Sequence, residues 1–233
     1  MMAEQVPGER DYDSMYGGGD GLPPWSIGET QPEIAALVRQ GAVAGSVLDA
    51  GCGHAEVGLE LAVSGHDVVG LDISPRAIAA ATAAAAERGL STKAKFSVAD
   101  ISDFGGFDNR FDTVIDSALF HALPKARWDA YQQCVFRAAA PGARYYVLTF
   151  APEAFSWLPC GAPRPNAPTV DELHGTVSPY WEIDEITPAF VHGNSPSGST
   201  VPGFEMPFAD LPFDRDEKGR SKFPAWLLAA RVR

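Results

Sequence analysis

Short apolar runs alternate with amphipathic stretches along the first two thirds of the chain. The apolar runs are the lengths expected of strands buried on both faces of a sheet. Predicted strands cover residues 46–50, 66–72, 95–99, 111–116 and 144–150. One predicted helix begins at Pro32, and three more cover residues 54–64, 76–88 and 125–139. This strand–helix alternation predicts an α/β fold, with an open parallel sheet and helices on both faces.

The pattern changes after residue 150. Residues 151–178 are rich in Pro and Gly, and no helix or strand is predicted there. Two further strands are predicted at 180–189 and 223–232. The irregular stretch 192–222 between them is predicted to cover a substrate site, with disorder as the alternative, because long structureless segments inside compact domains are usually one or the other. Residues 1–22 are predicted to be a flexible leader, and residues 23–233 a single domain.

Composition narrows the classes of function. The chain has 233 residues, 45% hydrophobic, and a net charge of -12, which argues against a nucleic-acid partner. No apolar run approaches the roughly 20 residues of a membrane-spanning helix, and no signal peptide is recognisable. Three dispersed cysteines, Cys52, Cys134 and Cys160, fit a reducing compartment. We therefore expect a cytoplasmic protein, monomeric or homodimeric, without membrane or nucleic-acid partners.

The stretch from Val47 to Gly53 is predicted to bind a ligand. Its glycines, Gly51 and Gly53, allow a tight turn on which a ligand can lie, and an acid, Asp72, follows about 20 residues later. An acid at the end of the second strand binds ribose hydroxyls. Glu56 occupies the third glycine position of a dinucleotide fingerprint, where a carboxylate opposes pyrophosphate. The site therefore favours a ligand with a ribose and a positive charge, which S-adenosylmethionine provides.

These motifs together resemble the class I S-adenosylmethionine-dependent methyltransferases. Residues 47–53, 71–74, 99–101 and 111–117 match successive family motifs. The resemblance implies a Rossmann-like, seven-stranded, mostly parallel sheet with an antiparallel final strand and a C-terminal lid insertion. It implies a cofactor site formed by Trp25, Gly28, Asp49, Gly51, Cys52, Gly53, Asp72, Ile73, Asp100, Ile101, Asp116 and Ser117.

A narrower resemblance concerns the acceptor. Residues 23–32, with their lone Trp25, and residues 116–121 are similar to the thiopurine-methyltransferase-like group. They are closer still to actinobacterial enzymes of the heterocyclic-toxin (hydroxyquinolone) or benzoquinone methyltransferase type. This implies methyl transfer to a hydroxyl, nitrogen or sulfur of a planar aromatic small molecule, with detoxification as a possible purpose. A thiopurine-type S-methyltransferase and a cofactor-binding module without turnover are the alternatives.

Two residues are candidates for catalysis. His121 follows the fourth strand where the acceptor should lie, and a histidine can accept a proton near neutral pH. Asp116 is the second candidate, although it can equally orient the loop or the cofactor. No metal is predicted, because residues 137–143 supply no acid or amide ligands. An aromatic wall for the acceptor is predicted from Phe120, Phe150, Phe155, Trp157, Phe204, Met206 and Phe208.

Overall fold

The computed structural model describes residues 12–16, 23–162, 164–194 and 210–233. A seven-stranded sheet has the order β3-β2-β1-β4-β5-β7-β6, which confirms the predicted fold class. The first five strands are parallel, while β7 runs antiparallel to both β5 and β6. The strands are β1 (Ser46–Ala50), β2 (Asp67–Asp72), β3 (Ala94–Val98), β4 (Phe111–Ser117), β5 (Ala139–Phe150), β6 (Glu182–Gly193) and β7 (Ser221–Arg231).

Helices cover both faces of the sheet. Those on one face pack with Ile115 of β4, and those on the other pack with its neighbour Val114, since successive strand residues point to opposite faces. The first group is α2 (Pro32–Arg39), α3 (Glu56–Val63) and α4 (Pro75–Glu87). The second group is α5 (Trp128–Ala138) and α6 (Val170–Val177).

Helix α6 lies where the sequence predicted no regular element. It begins with a capping box, in which the Thr169 hydroxyl accepts a hydrogen bond from the Glu172 amide and the Glu172 side chain accepts one from the Thr169 amide. This Thr-x-x-Glu signal precedes apolar residues and was available in the sequence. Its buried residues, Leu173 and Val177, join the core beside Trp181. The prediction of no helix in this stretch was therefore wrong, because it relied on the surrounding Pro and Gly residues.

Described parts of the segments predicted as leader and cover pack against this fold. Residues 12–15 form α1 (Tyr12–Met15), which contacts α4. At the other end, β6 and β7 extend into the predicted cover as far as Gly193 and Ser221. Phe204, Met206 and Phe208 lie outside the described residues, and the domain bounds stay a prediction. None of the helices in the described ranges is long and apolar enough to cross a membrane.

Candidate active site

A cavity of about 500 Å³ lies at the carboxyl ends of β1, β2, β4 and β5. Strand order reverses at this edge, because β1 pairs with β2 on one side and with β4 on the other. Ligands of open α/β sheets bind at such a switch point. The predicted residues that line the cavity are Trp25, Asp49, Gly51, Cys52, Gly53, Asp72, Ile73, Asp100, Ile101, Ser117 and His121.

The glycine turn after β1 is tightly held. The amides of Gly51 and Cys52 both donate to the Leu71 carbonyl oxygen, at 2.8 and 3.0 Å. Gly51 has a φ of 66°, and a Cβ atom added there would lie 2.7 Å from the Leu119 side chain. Glycine is therefore required at position 51 for both conformation and space. The turn leads directly into α3, whose first residues, Glu56 and Val57, line the cavity.

Two carboxylates face this turn. The Asp72 carboxylate accepts hydrogen bonds from the Gly53 amide at 2.9 Å and the Ser74 amide at 2.8 Å, so it braces the turn from the end of β2. Asp49 is almost fully buried and accepts from the Gly58 amide at 3.0 Å. Burial raises the pKa of Asp49 to about 7 and also raises the pKa of Asp72. The site is therefore prepared for a cation, which would favour the ionised form of both acids.

The other end of the cavity is bordered by Asp100 and Ile73. The Arg127 guanidinium donates to the Asp100 carboxylate at 2.6 Å, and the Ser102 amide and hydroxyl donate to its other oxygen. These contacts outweigh burial and lower the pKa of Asp100. Ile73 is 53% exposed at the cavity rim, an apolar surface that a planar base would cover.

The charges around the cavity fit S-adenosylmethionine and not a dinucleotide. Among the described lining residues Arg127 is the sole Lys or Arg, and it already pairs with Asp100. A pyrophosphate would therefore meet the carboxylates of Asp49, Glu56 and Asp72 without a free cation beside them. A sulfonium and an ammonium group would find those carboxylates favourable.

Several lining residues were missed by sequence reasoning. The Ser26 hydroxyl donates to Glu56 at 2.6 Å and lies 2.9 Å from His54 Nδ1. The Tyr16 ring packs edge-on against His54, with centroids 5.0 Å apart. Asp13 fastens this side to α4 by accepting hydrogen bonds from the Ser74 hydroxyl and the Arg76 amide. The aromatic and acidic cluster at 11–16, amid glycines, was the signal in the sequence.

One half of the cavity has aromatic walls. Phe150, Phe155 and Trp157 line it as predicted, and Phe223 joins them. The ring of His121 lies 4.2 Å from that of Phe150, centroid to centroid, and His121 Nδ1 lies 3.3 Å from the Thr149 hydroxyl. Phe120, also predicted for this wall, is instead fully buried against Trp128 and Tyr131.

Two predicted site residues do not line the cavity. Asp116 is fully buried, and its oxygens accept hydrogen bonds from the Tyr131 hydroxyl and from two amides of the following loop. Those contacts agree with the loop-orienting alternative and leave no route to an acceptor. Gly28 has a φ of 76°, and its contribution is a turn in the segment that carries Trp25. The chain reverses there before α2 begins.

A network of charged side chains around the buried Arg220 joins the two segments that border the cavity. Arg220 donates to Asp216 at 2.6 Å and to Glu29 at 2.6 Å. Asp216 also accepts from His192 Nδ1 at 2.8 Å, and these partners lower the pKa of Asp216. The Gln31 side chain pairs with the backbone amide and carbonyl of His192. The N-terminal segment and the β6–β7 connection are thus tied together.

Within the described residues, no three His, Cys, Asp or Glu side chains form a metal-binding group.

Comparisons with known proteins agree with this site. A sequence model described as a methyltransferase domain matches residues 47–142. The chain is 48% identical over 208 residues to a 2-heptyl-1-hydroxyquinolin-4(1H)-one methyltransferase of Mycobacteroides abscessus, spanning 89% of this chain and 88% of the relative. A structure from work on converting a disulfide bond into a thioacetal group in echinomycin biosynthesis is 34% identical. Its TM-score is 0.78, with 95% of this chain and 90% of that one covered.

A more distant structure shares the fold. Magnesium protoporphyrin IX methyltransferase from Synechocystis PCC 6803, solved with bound S-adenosylmethionine, is 22% identical with a TM-score of 0.58; 86% of this chain and 76% of that one are covered. The glycine turn, the acid-lined cavity and the relative that matches almost the whole chain all indicate the same family. The chain belongs to the class I S-adenosylmethionine-dependent methyltransferases and is a small-molecule enzyme of that family.

Proposed function

We propose that this enzyme transfers the methyl group to a hydroxyl oxygen of a planar heteroaromatic small molecule, such as a hydroxyquinolone or a quinol. The observation that carries the proposal is that the glycine turn and an aromatic wall line the same cavity. Aromatic walls with a few convergent polar groups suit a flat, largely apolar ligand. The relative named for a hydroxyquinolone supports the same class of acceptor. Methylation of such a reactive hydroxyl fits detoxification.

The cofactor is proposed to lie along the carboxylate-lined half of the cavity. Asp72 holds the ribose hydroxyls, Gly51 and Gly53 lie under the methionine portion, and Ile73 and Asp100 border the adenine. Trp25, Cys52, Ile101 and Ser117 complete this half. When bound, the cofactor supplies an electrophilic methyl group on a sulfonium. The protein's main task is then to align the acceptor oxygen with that methyl carbon and to exclude water.

His121 is proposed to accept the proton of a weakly acidic acceptor. A base must present a nitrogen lone pair within hydrogen-bond reach of the reacting hydroxyl. When His121 Nδ1 carries the hydrogen and donates to Thr149, the lone pair lies on Nε2; in the opposite tautomer Nδ1 carries the lone pair and accepts from the Phe150 amide, 3.4 Å away. Catalysis uses the first arrangement. A strongly acidic N-hydroxyl would need this help less than a phenol.

Product analysis with a defined acceptor panel tests the proposal. The protein is incubated with methyl-labelled S-adenosylmethionine and an N-hydroxyquinolone, a quinol, a simple phenol or an aromatic thiol, and mass spectrometry locates the methyl group. We expect O-methylation of the hydroxylated rings. The matched variant His121→Asn keeps a donor toward Thr149 but removes Nε2, so its kcat should fall about tenfold or more on the phenol, within the usual range for a lost general base. Transfer to the thiol alone would overturn the acceptor class and favour an S-methyltransferase. Full kcat in the variant would exclude His121 as the base.

A further inference from the structure

A buried carboxylate lies directly behind the loop that borders both halves of the cavity. Asp116 Oδ1 accepts hydrogen bonds from the Leu119 amide at 2.8 Å and the Phe120 amide at 3.2 Å. Its Oδ2 accepts from the Tyr131 hydroxyl at 2.8 Å. With no exposed surface, the carboxylate cannot touch a ligand. Its effects on the reaction must therefore pass through the loop.

That loop holds a strained conformation. Ala118 has a φ of 75°, a region that costs a non-glycine residue free energy and persists only where neighbouring contacts enforce it. Its amide donates to the Leu148 carbonyl at 2.8 Å. The Leu119 side chain then fills the space above Gly51, and His121 reaches the aromatic wall. One loop conformation thus sets both the surface under the cofactor and the position of the proposed base.

A hydrogen-bond chain supports the carboxylate from inside the core. Gln132 donates to the Tyr145 hydroxyl at 3.1 Å, which donates to the Tyr131 hydroxyl at 3.2 Å, so each donor points toward Asp116. The Gln132 Oε1 atom is buried and has no hydrogen-bond partner among the described residues. Rotation of that amide would let the chain run in the opposite direction, from position 116 to Gln132 Oε1. The network can therefore accept a donor at position 116.

We propose that Asp116 is a positioning residue that holds loop 117–121 in its strained form, and thereby sets cofactor affinity and the placement of His121 together. The part concerning His121 rests on the proposed function, whereas the part concerning the cofactor does not. A role confined to stability would change the folded fraction but not the affinity or turnover of each folded molecule. Measuring the folded fraction separately from the affinity and turnover of each folded molecule therefore distinguishes a positioning role from a purely stabilising one.

The test compares Asp116→Asn with Asp116→Ala. Asparagine keeps an acceptor for both loop amides, and its NH2 group can donate to Tyr131 once the chain reverses. We expect this variant to stay within about threefold of wild type in cofactor Kd and in kcat. Alanine leaves both amides without an acceptor, so Kd should rise about tenfold and kcat should fall about tenfold or more, as for lost hydrogen bonds to a charged group. Calorimetric titration with S-adenosylhomocysteine gives Kd and the fraction of active sites.

Two further comparisons decide whether the effect passes through the loop. Adding Ala118→Gly to Asp116→Ala removes the strain at φ 75°, so we expect at least about a threefold recovery of kcat. Combining Asp116→Ala with His121→Ala should be non-additive, because the second change removes a side chain already misplaced. Unchanged Kd and kcat per folded Asp116→Ala molecule would overturn the proposal. Strict additivity with a His121→Ala change that by itself lowers kcat would overturn the part that concerns His121. Should the alanine variant not fold, Asp116→Ser, which admits a water, replaces it under the same criteria.

Failure of the proposed function would look different. If wild-type enzyme methylates none of the hydroxylated rings, the acceptor class is wrong. A raised cofactor Kd in Asp116→Ala, with normal Kd in Asp116→Asn, would still establish the positioning role. If His121→Asn keeps full kcat while Asp116→Ala loses it, the base assignment fails and the loop effect acts through the cofactor side.

Discussion

Replacing Asp49 by asparagine is expected to stabilise the ligand-free enzyme while weakening its hold on the cofactor. The Asp49 side chain is buried at the end of β1, with 2% of the residue exposed. Burial, and then the nearby carboxylates of Glu56 and Asp72, raise its pKa from 3.8 to about 7, against the opposing hydrogen bond from Gly58. Asparagine keeps an acceptor for the Gly58 amide but carries no charge.

The magnitude follows from linkage between folding and proton binding. Because the folded-state pKa is raised, the folded protein binds more protons than the unfolded chain between pH 4 and 7, so this group's contribution to stability falls as pH rises through that window. A shift of about 3 units corresponds to about 4 kcal/mol at pH 8 and, for the same pKa values, to about 2 kcal/mol at pH 5. Asp49→Asn should recover this loss, so its advantage should grow by about 2 kcal/mol from pH 5 to pH 8.

Urea unfolding of the ligand-free protein at both pH values measures this. The matched control is Asp67→Asn, because the Asp67 side chain is 70% exposed in a surface pair with Lys93, and loss of such a pair should change the free energy of unfolding by less than about 1 kcal/mol. A gain for Asp49→Asn that is equal at pH 5 and pH 8 would refute the linkage reasoning. If Asp49→Asn is less stable than the wild type at pH 8, the ionised Asp49 carboxylate does not lower the stability of the folded protein.

The same variant should bind S-adenosylmethionine less tightly. Asp49 lines the cavity beside the glycine turn, where its charge favours a cation. We expect Kd for S-adenosylmethionine to rise about tenfold at pH 8, the factor that corresponds to 1.4 kcal/mol, and Kd for adenosine to change much less. Titration calorimetry with both ligands checks this difference. Equal losses for the two ligands would indicate a distorted turn and not a missing charge.

Three other substitutions test separate contacts. Thr149→Val removes the hydroxyl beside His121 Nδ1 and should lower kcat about three- to tenfold on a simple phenol, with a smaller effect on an N-hydroxyquinolone, as initial rates would show. Gly51→Ala should raise cofactor Kd about 100-fold, because its Cβ would overlap Leu119, and adding Leu119→Ala should restore part of the affinity measured by calorimetry. Arg220→Met removes the buried guanidinium from Asp216 and Glu29, which keep contacts with His192 and Lys218, and should cost about 1–2 kcal/mol in urea unfolding; an unchanged midpoint would contradict this.

The sequence by itself determined the fold class and most of the residues that line the cavity at the ends of β1 and β2. Five parallel strands were predicted within a few residues of their observed positions, apart from the start of β5, because buried strands and their connecting helices leave local apolar patterns. The glycine turn and Asp72 also leave local signals, since glycines that follow one apolar run and an acid that ends the next are visible without knowledge of their contacts. The structure brings them together through adjacent pairing of β1 and β2.

Tertiary structure alone decided which residues meet across long sequence distances. An acid at a strand end can face a ligand or the core, and the position of Tyr131 on α5 places Asp116 in the core. Gln31 pairs with His192 across 161 residues, a contact that no local pattern encodes. Residues 12–16 are ordered because Asp13 meets the start of α4, although their glycine-rich surroundings predicted a free leader. Local patterns specify elements, whereas burial and pairing between elements depend on how the whole chain packs.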